Sequence, residues 1–353
     1  MQPIRIDPSR IFDEATRFRN KLAAGMQVLR EVDDVTYGVT PKDEIYREDK
    51  LVVYRFRGDR APSAKTPTLI VYALVNRPYM VDLQEDKSLV RNLLAQGEDV
   101  YLVDWGYPDR ADRWLTLDDY INGYLRRSVD AVARNAGVKK INVLGICQGG
   151  AFSLCFTSIY PQKIRNLITM VTPVDFHTPD NMLSNWTRKM DADLFVDTIG
   201  NVPADLMNMC YLMLKPMRLF QQKYVGMVDI LDDRKELENF LRMEKWIFDS
   251  PDQAGEAFRQ FMRDFYQGNK LVKGGLMIGD KAVDLKKITM PVLNIFAEQD
   301  HLVPPDASRA LADVVGTNDY TQIAFKGGHI GIYVSSRAQR EVPPAIHQWL
   351  ASR

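Results

Sequence analysis

The stretch Ile141-Asn142-Val143-Leu144-Gly145-Ile146-Cys147-Gln148-Gly149-Gly150 decides how this chain folds. Ile141 to Leu144 reads as a strand, and the run from Ala151 to Tyr160 reads as a helix. Between them, Gly145-x-Cys147-x-Gly149 sets a cysteine at the tip of a strand-to-helix turn. Such a turn is strained, and a Cβ at either flanking glycine would collide with neighbouring backbone. The sulfur selects the chemistry. A thiolate is a better nucleophile than an alcohol and a better leaving group than an alkoxide. An acyl group carried on cysteine is a thioester, so loading it from another thioester is nearly balanced in free energy. The residue therefore points to acyl transfer from a thioester donor rather than to simple ester hydrolysis.

Working outward, Leu51 to Phe56, Thr68 to Ala73, Val100 to Val103 and Ile164 to Thr172 read as strands. The run from Thr68 is apolar throughout, as expected of a strand buried on both faces. Helices are expected over Ser88 to Gln96, stopped by Gly97, and from the Thr116-Leu117-Asp118-Asp119 cap to about Asn135. Strands alternating with helices imply a parallel sheet covered on both faces. The rhythm breaks at about Val174, and the stretch to about Lys286 reads as mostly helical. It carries ten of the fifteen methionines and the aromatic group Phe240, Trp246, Phe248, Phe258, Phe261, Phe265 and Tyr266. That composition suits either an adaptable apolar surface or the segment's own core. Strands resume at Pro291 to Ala297 and Tyr320 to Phe325, and a helix over about Ala345 to Leu350 closes the chain. The fold class is α/β, the α/β-hydrolase fold: a mostly parallel central sheet with a mainly helical cap inserted late. The expected division is a catalytic core of 1–173 and 287–353, with a cap over 174–286. Residues 1–45 form an N-terminal segment with an amphipathic helix, marked by Ile11, Phe12, Phe18, Leu22 and Met26 at helical spacing.

The gross numbers exclude several classes. In 353 residues, 46 basic and 46 acidic side chains cancel, so no overall basic field favours nucleic acid. Three cysteines, Cys147, Cys155 and Cys210, form neither a paired framework nor a CxxC motif, which fits a reducing cytoplasm. Met1 to Phe18 carries charges throughout and no apolar h-region, so no signal peptide is expected. No apolar run reaches the length of a membrane span. With no GxGxxG, no P-loop and few, scattered histidines, neither a metal nor a redox cofactor is expected.

The remaining parts of a triad follow Cys147 in the order nucleophile, acid, histidine. Asp300 comes just after one strand, in Ala297-Glu298-Gln299-Asp300-His301, and His329 just after the last, in Gly327-Gly328-His329-Ile330-Gly331. Catalytic groups in open parallel sheets gather at the carboxyl ends of strands. The roles that follow are Cys147 as nucleophile, His329 as base and Asp300 as the group orienting the imidazolium. An oxyanion hole needs the backbone N–H of Gln148 and one from Ala73 to Tyr79, with Val75 as the second donor. Asn76 and Arg77 hold that loop or a substrate group. His301 is expected to pack, with a second proton transfer as the alternative. Cys155 and Cys210 are expected as small buried hydrophobes, and His177 and His347 as structural or exposed.

The chain resembles the polyhydroxyalkanoate synthases, and among them the catalytic subunit of the class III, two-subunit enzymes. The resemblance spans nearly its whole length. It rests on Tyr72 to Tyr79, Asp104-Trp105-Gly106-Tyr107-Pro108, Gly145 to Gly150, Met170 to Phe176, Lys245 to Pro251, and the Asp300 and His329 segments. The length also fits class III, and the triad follows the family pattern. The resemblance implies an acyltransferase that polymerises (R)-3-hydroxyacyl-CoA, chiefly (R)-3-hydroxybutyryl-CoA, with CoA as part of the substrate and no further cofactor. It implies Cys147 as acyl carrier, His329 as its base, and Asp300 as activator of the incoming 3-hydroxyl as well as, or instead of, support for His329. Trp246 matches a cap tryptophan near the pocket. The implied partners are a PhaE subunit, the growing polyester and the surface of cytoplasmic granules, in a homodimer or hetero-oligomer. Two rivals share the residues: an acyl-CoA thioesterase or Cys-dependent lactone hydrolase of the same fold, and a non-enzymatic granule-coat protein. A lactone hydrolase of that type is much smaller and lacks so large a cap. The intact triad argues against a coat protein.

Overall fold

The computed structural model describes residues 35–216 and 226–353, together with the helical positions Asp13, Thr16 and Asn20. The helix-marking residues Ile11, Phe12, Phe18, Leu22 and Met26 lie outside the described residues.

Eight strands form one sheet: β1 (Lys42–Glu48), β2 (Leu51–Phe56), β3 (Thr68–Val71), β4 (Val100–Asp104), β5 (Ile141–Ile146), β6 (Ile164–Met170), β7 (Val292–Ala297) and β8 (Tyr320–Phe325). Their spatial order is β1-β2-β4-β3-β5-β6-β7-β8. The β1/β2 and β2/β4 pairs are antiparallel, and all others are parallel. Every residue of β3, β5 and β7 is buried, which is why these segments read as continuous apolar runs rather than as alternation.

The pleat divides the core into two layers. Leu69, Val71 and Val143 face one side and pack with Val129, Val132, Phe152 and Phe156. Those side chains come from α2 (Arg126–Asn135) and α3 (Gln148–Ile159). Ile70, Leu144 and Ile146 face the other side, against Leu89, Val90 and Leu93 of α1 (Leu89–Ala95) and Ile346, Trp349 and Leu350 of the last helix. Burying each such side chain stabilises the fold by about 1.5–3 kcal/mol. Helix α3 is buried on all sides from Gln148 to Ser158, so it shows no polar face.

Local signals explain most boundaries. The Ser88 hydroxyl accepts the Arg91 N–H and caps α1. Thr116 and Asp119 cap each other's backbone N–H, as the sequence predicts, although seven residues, Asp119–Leu125, adopt a π-helix before α2. Three segments differ from expectation. β1 is an additional edge strand; its charged sequence KDEIYRE is only partly buried, so no apolar run announces it. The last helix spans Ser336–Ala351 and runs through Pro343 and Pro344, far upstream of Ala345. Ser335 caps it, and the buried Ala338, Val342 and Ile346 hold it across the prolines. Residues 277–282 form a two-stranded ribbon where helix was expected.

Between β6 and β7 the chain is largely helical, with α4 (Met182–Thr187), α5 (Ala192–Ile199), α6 (Ala204–Met213), α7 (Arg234–Phe248), α8 (Gly255–Phe261) and α9 (Lys270–Lys273). The aromatic group divides: Phe261 and Phe265 stack at 4.5 Å within the core, whereas Phe248 is 65% exposed.

The glycines of the turn have no room to spare. A Cβ on Gly145 would come within 2.6 Å of the Gly150 Cα, and one on Gly149 would overlap the backbone carbonyls of Val71 and Tyr72. Gly149→Ala is therefore expected to cost about 3 kcal/mol or more, the upper range of overpacking, because the colliding atoms are backbone. Urea unfolding measures this, and a loss under about 1 kcal/mol would mean that α3 shifts away freely.

Candidate active site

Cys147 sits between β5 and α3 with φ 53° and ψ −124°. This is a strained conformation for a residue with a Cβ, and it presents the sulfur above the end of the sheet. The helix leaves its first N–H groups without intrahelical partners, and Gln148 is its first residue. Cys147 is half-buried and free of disulfides. Cys155 is buried, as expected, and its thiol is pushed up by that burial. Cys210 is not: it lies exposed on α6, whose buried face is carried by Asn208 instead.

Asp300 and His329 follow the ends of β7 and β8, which are neighbours in the sheet. The His329 Nδ1 lies 2.7 Å from the Asp300 Oδ2, and both residues are buried. The other Asp300 oxygen accepts the N–H groups of Leu302 and Val303, each at 2.9 Å. The carboxylate is thereby fixed, and Nε2 is the nitrogen left for the sulfur.

Burial is the largest influence on His329 and disfavours its charge. The charges of Asp300 and Cys147, with hydrogen bonds to both, outweigh it and raise the imidazole to about 10. The imidazole therefore holds its proton at neutral pH. Because the folded value lies above the ordinary 6.5, the stability this proton contributes is fully present below about 6.5 and is lost as pH rises through about 10. Asp300→Asn is expected to move the His329 titration well down, read by NMR of the imidazole proton. An unmoved titration would assign the proton to the sulfur's influence alone.

The loop after β3 is held from several directions. Trp105 Nε1 donates to the Tyr72 carbonyl at 2.9 Å, and Trp246 Nε1 donates to the Arg77 carbonyl at 2.8 Å. The Arg77 guanidinium pairs with Asp104 at 2.7 Å and stacks on Tyr107. Asn76 adopts φ 61° and donates to the Ser250 hydroxyl at 2.5 Å. Asn76 and Arg77 thus hold the loop.

A cavity of about 210 Å³ opens over Cys147 and His329. Val75, Asn76, Gln148, Trp246 and His301 all line it, Asp300 stands behind His329, and Arg77 lies outside the lining. Much of the remaining wall comes from α6 and α8, including Tyr211 and Phe258, and from the π-helical segment Met262–Gln267 that follows α8, including Tyr266. The sequence pattern does not mark Tyr72, Tyr211 and Gln253 as lining residues; the aromatic clustering of the inserted segment points only to the neighbourhood of Tyr211. His177 lies on the Tyr266 carbonyl and His347 on Glu98, both as structural contacts. Among the described residues, no group of three or more His, Cys, Asp or Glu side chains is placed to hold a metal ion. Among the same residues, no helix is long and apolar enough to cross a membrane.

A protein-family match described as the alpha/beta hydrolase fold covers residues 67–336. A monoacylglycerol lipase from Paleococcus ferrophilus superposes with a TM-score of 0.54 over 86% of this chain and 99% of its own, at 17% identity, a likeness of fold. The poly(3-hydroxyalkanoate) polymerase subunit PhaC of Allochromatium vinosum is 61% identical over 100% of both chains. That of Synechocystis is 54% identical over 96% of this chain and 92% of its own. The chain has the α/β-hydrolase fold and, within it, belongs to the poly(3-hydroxyalkanoate) polymerase PhaC family.

Proposed function

We propose that this chain is a poly(3-hydroxyalkanoate) synthase that polymerises (R)-3-hydroxyacyl-CoA, chiefly (R)-3-hydroxybutyryl-CoA, through an acyl group held on Cys147. The observation that carries this reading is the cysteine at the strained turn, facing the buried His329–Asp300 pair beneath a largely apolar cavity. In the reading, the Cys147 thiolate attacks the thioester carbonyl. The backbone N–H groups of Gln148 and Val75 receive the oxyanion. The carbon–sulfur bond to CoA then breaks, and His329 protonates the departing thiolate. In the second half, the 3-hydroxyl of the next unit attacks the acyl-Cys147 thioester and gives its proton to His329 or Asp300. The ester bond forms and the sulfur is released. No cofactor is needed beyond the CoA carried by the substrate.

The segment 174–286 serves as a cap over a core of 1–173 and 287–353, and its apolar wall keeps water from competing with the hydroxyl. Trp246 ties that cap to the loop, and His301 packs at the cavity edge. The chain acts as the class III catalytic subunit with PhaE, in a homodimer or hetero-oligomer at the surface of cytoplasmic polyester granules. Sulfur chemistry and 61% identity to a PhaC support the reading.

The test is CoA release from (R)-3-hydroxybutyryl-CoA by the purified chain, with and without PhaE, followed by a polymer assay. CoA release with insoluble polyester, increased by PhaE, is expected. CoA release yielding only free 3-hydroxybutyrate would make the protein a thioesterase and overturn the proposal.

A further inference from the structure

Gln253 belongs to the inserted segment, yet its amide reaches the loop after β3. The side chain is 4% exposed, and its Nε2 donates to the Leu74 carbonyl at 2.9 Å. The peptide between Leu74 and Val75 is planar and trans, so its C=O and N–H point in opposite directions. A donor fixed on the Leu74 oxygen therefore fixes where the Val75 N–H points. Val75 lines the cavity beside Cys147. The preceding peptide is held too: the Leu74 N–H donates to the Gln148 Oε1 at 3.1 Å. One glutamine thus comes from the turn and the other from the cap, on the two sides of Leu74.

Gln253 is itself anchored. Its N–H and C=O exchange 2.9 Å hydrogen bonds with Val202. On either side, Asp252 accepts the Ala204 N–H at 2.9 Å, and Asn201 accepts the Gly255 N–H at 3.2 Å. A Cβ on Gly255 would lie 2.6 Å from the Gly200 carbonyl, so the two segments are in direct contact. The side chain consequently reports where the cap sits.

We infer that Gln253 is a positioning residue through which the cap aims the Val75 N–H at the oxyanion. The inference rests on the proposed use of Cys147 as nucleophile and of Val75 as donor. Hydrogen bonding to the back of the peptide also polarises its N–H and strengthens it as a donor. A cap displaced from the sheet would take Gln253 with it and leave the Leu74–Val75 peptide free to turn.

The test compares acylation with alkylation. Iodoacetamide displaces iodide at sulfur through a transition state with no oxyanion, so its rate reads Cys147 and His329 without the hole. Gln253→Met keeps the length and removes the amide. It is expected to lower kcat for CoA release by about 10- to 100-fold, below or near the low end for direct loss of an oxyanion donor. KM should change by less than about threefold, the pattern of an interaction made in the transition state. Alkylation of Cys147 should proceed at the unmodified rate. Gln253→Glu adds a second reading: as a protonated acid it can donate to the Leu74 oxygen, and as a carboxylate it cannot. Its kcat relative to the unmodified protein should therefore rise as pH falls. A kcat within about threefold in Gln253→Met, alkylation slowed in parallel with kcat, or a pH-independent deficit in Gln253→Glu would overturn the inference. If Cys147→Ala retains turnover, the proposed chemistry itself fails, a result distinguishable from all of these.

Discussion

Cys147→Ala is expected to lower CoA release by about 10⁴-fold or more, the scale seen when a nucleophile is deleted from a triad. The fold should survive. Alanine carries the same Cβ at φ 53°, and the half-buried sulfur makes no hydrogen bond on which the turn depends. Melting temperature and turnover therefore separate: the first stays near the unmodified value, the second vanishes. Cys147→Ser sharpens the argument from sulfur. An alkoxide is harder to form, and its ester is a poorer acyl donor than a thioester. The serine protein should fold and lose most of its activity. Turnover at the unmodified rate would show that thioester exchange is not the reason for sulfur at this position.

His329→Gln is the second large effect, with an expected loss of about 10³-fold or more in kcat. Two properties disappear together. In the proposed mechanism the base that takes the thiol proton is gone, and so is the cation that Asp300 helps to hold. Alkylation by iodoacetamide at neutral pH should slow at least tenfold and recover in part as pH rises, since hydroxide replaces the missing base. The pH dependence of stability should change too. The unmodified protein loses the His329 contribution as pH rises through about 10, and His329→Gln has none to lose. Unchanged alkylation in His329→Gln would mean that Cys147 is ionised by something other than the imidazole.

The parts of the molecule legible in sequence are those whose patterning is local. β3, β5 and β7 are buried on both faces and announce themselves as apolar runs. Gly145, Cys147 and Gly149 mark the turn because only glycine fits beside Val71, Tyr72 and Gly150. Asp300 could be read because it sits one short step past such a strand, and His329 because it follows the last strand, β8, in the Gly327-Gly328-His329 turn, although only Phe325 of β8 is buried. β1 escaped because an edge strand needs no apolar run. The last helix was shortened because a proline pair reads as a break, whereas tertiary packing carries it through. Cys210 was expected inside on residue type alone, but position on a helix face decides burial. Gln253 could not be found at all. Its partner is 179 residues away, and a glutamine gives no sign of which carbonyl it will meet.

The central claim is that the growing acyl group is carried on Cys147, and the most direct measurement is the mass of the peptide containing it. The purified protein is mixed with (R)-3-hydroxybutyryl-CoA, quenched in acid within the first turnovers and digested. The account predicts hydroxybutyryl units on the Cys147 peptide, lost on treatment with hydroxylamine and absent from Cys147→Ala. Acyl units on another residue, or turnover with Cys147 unmodified throughout, would contradict it.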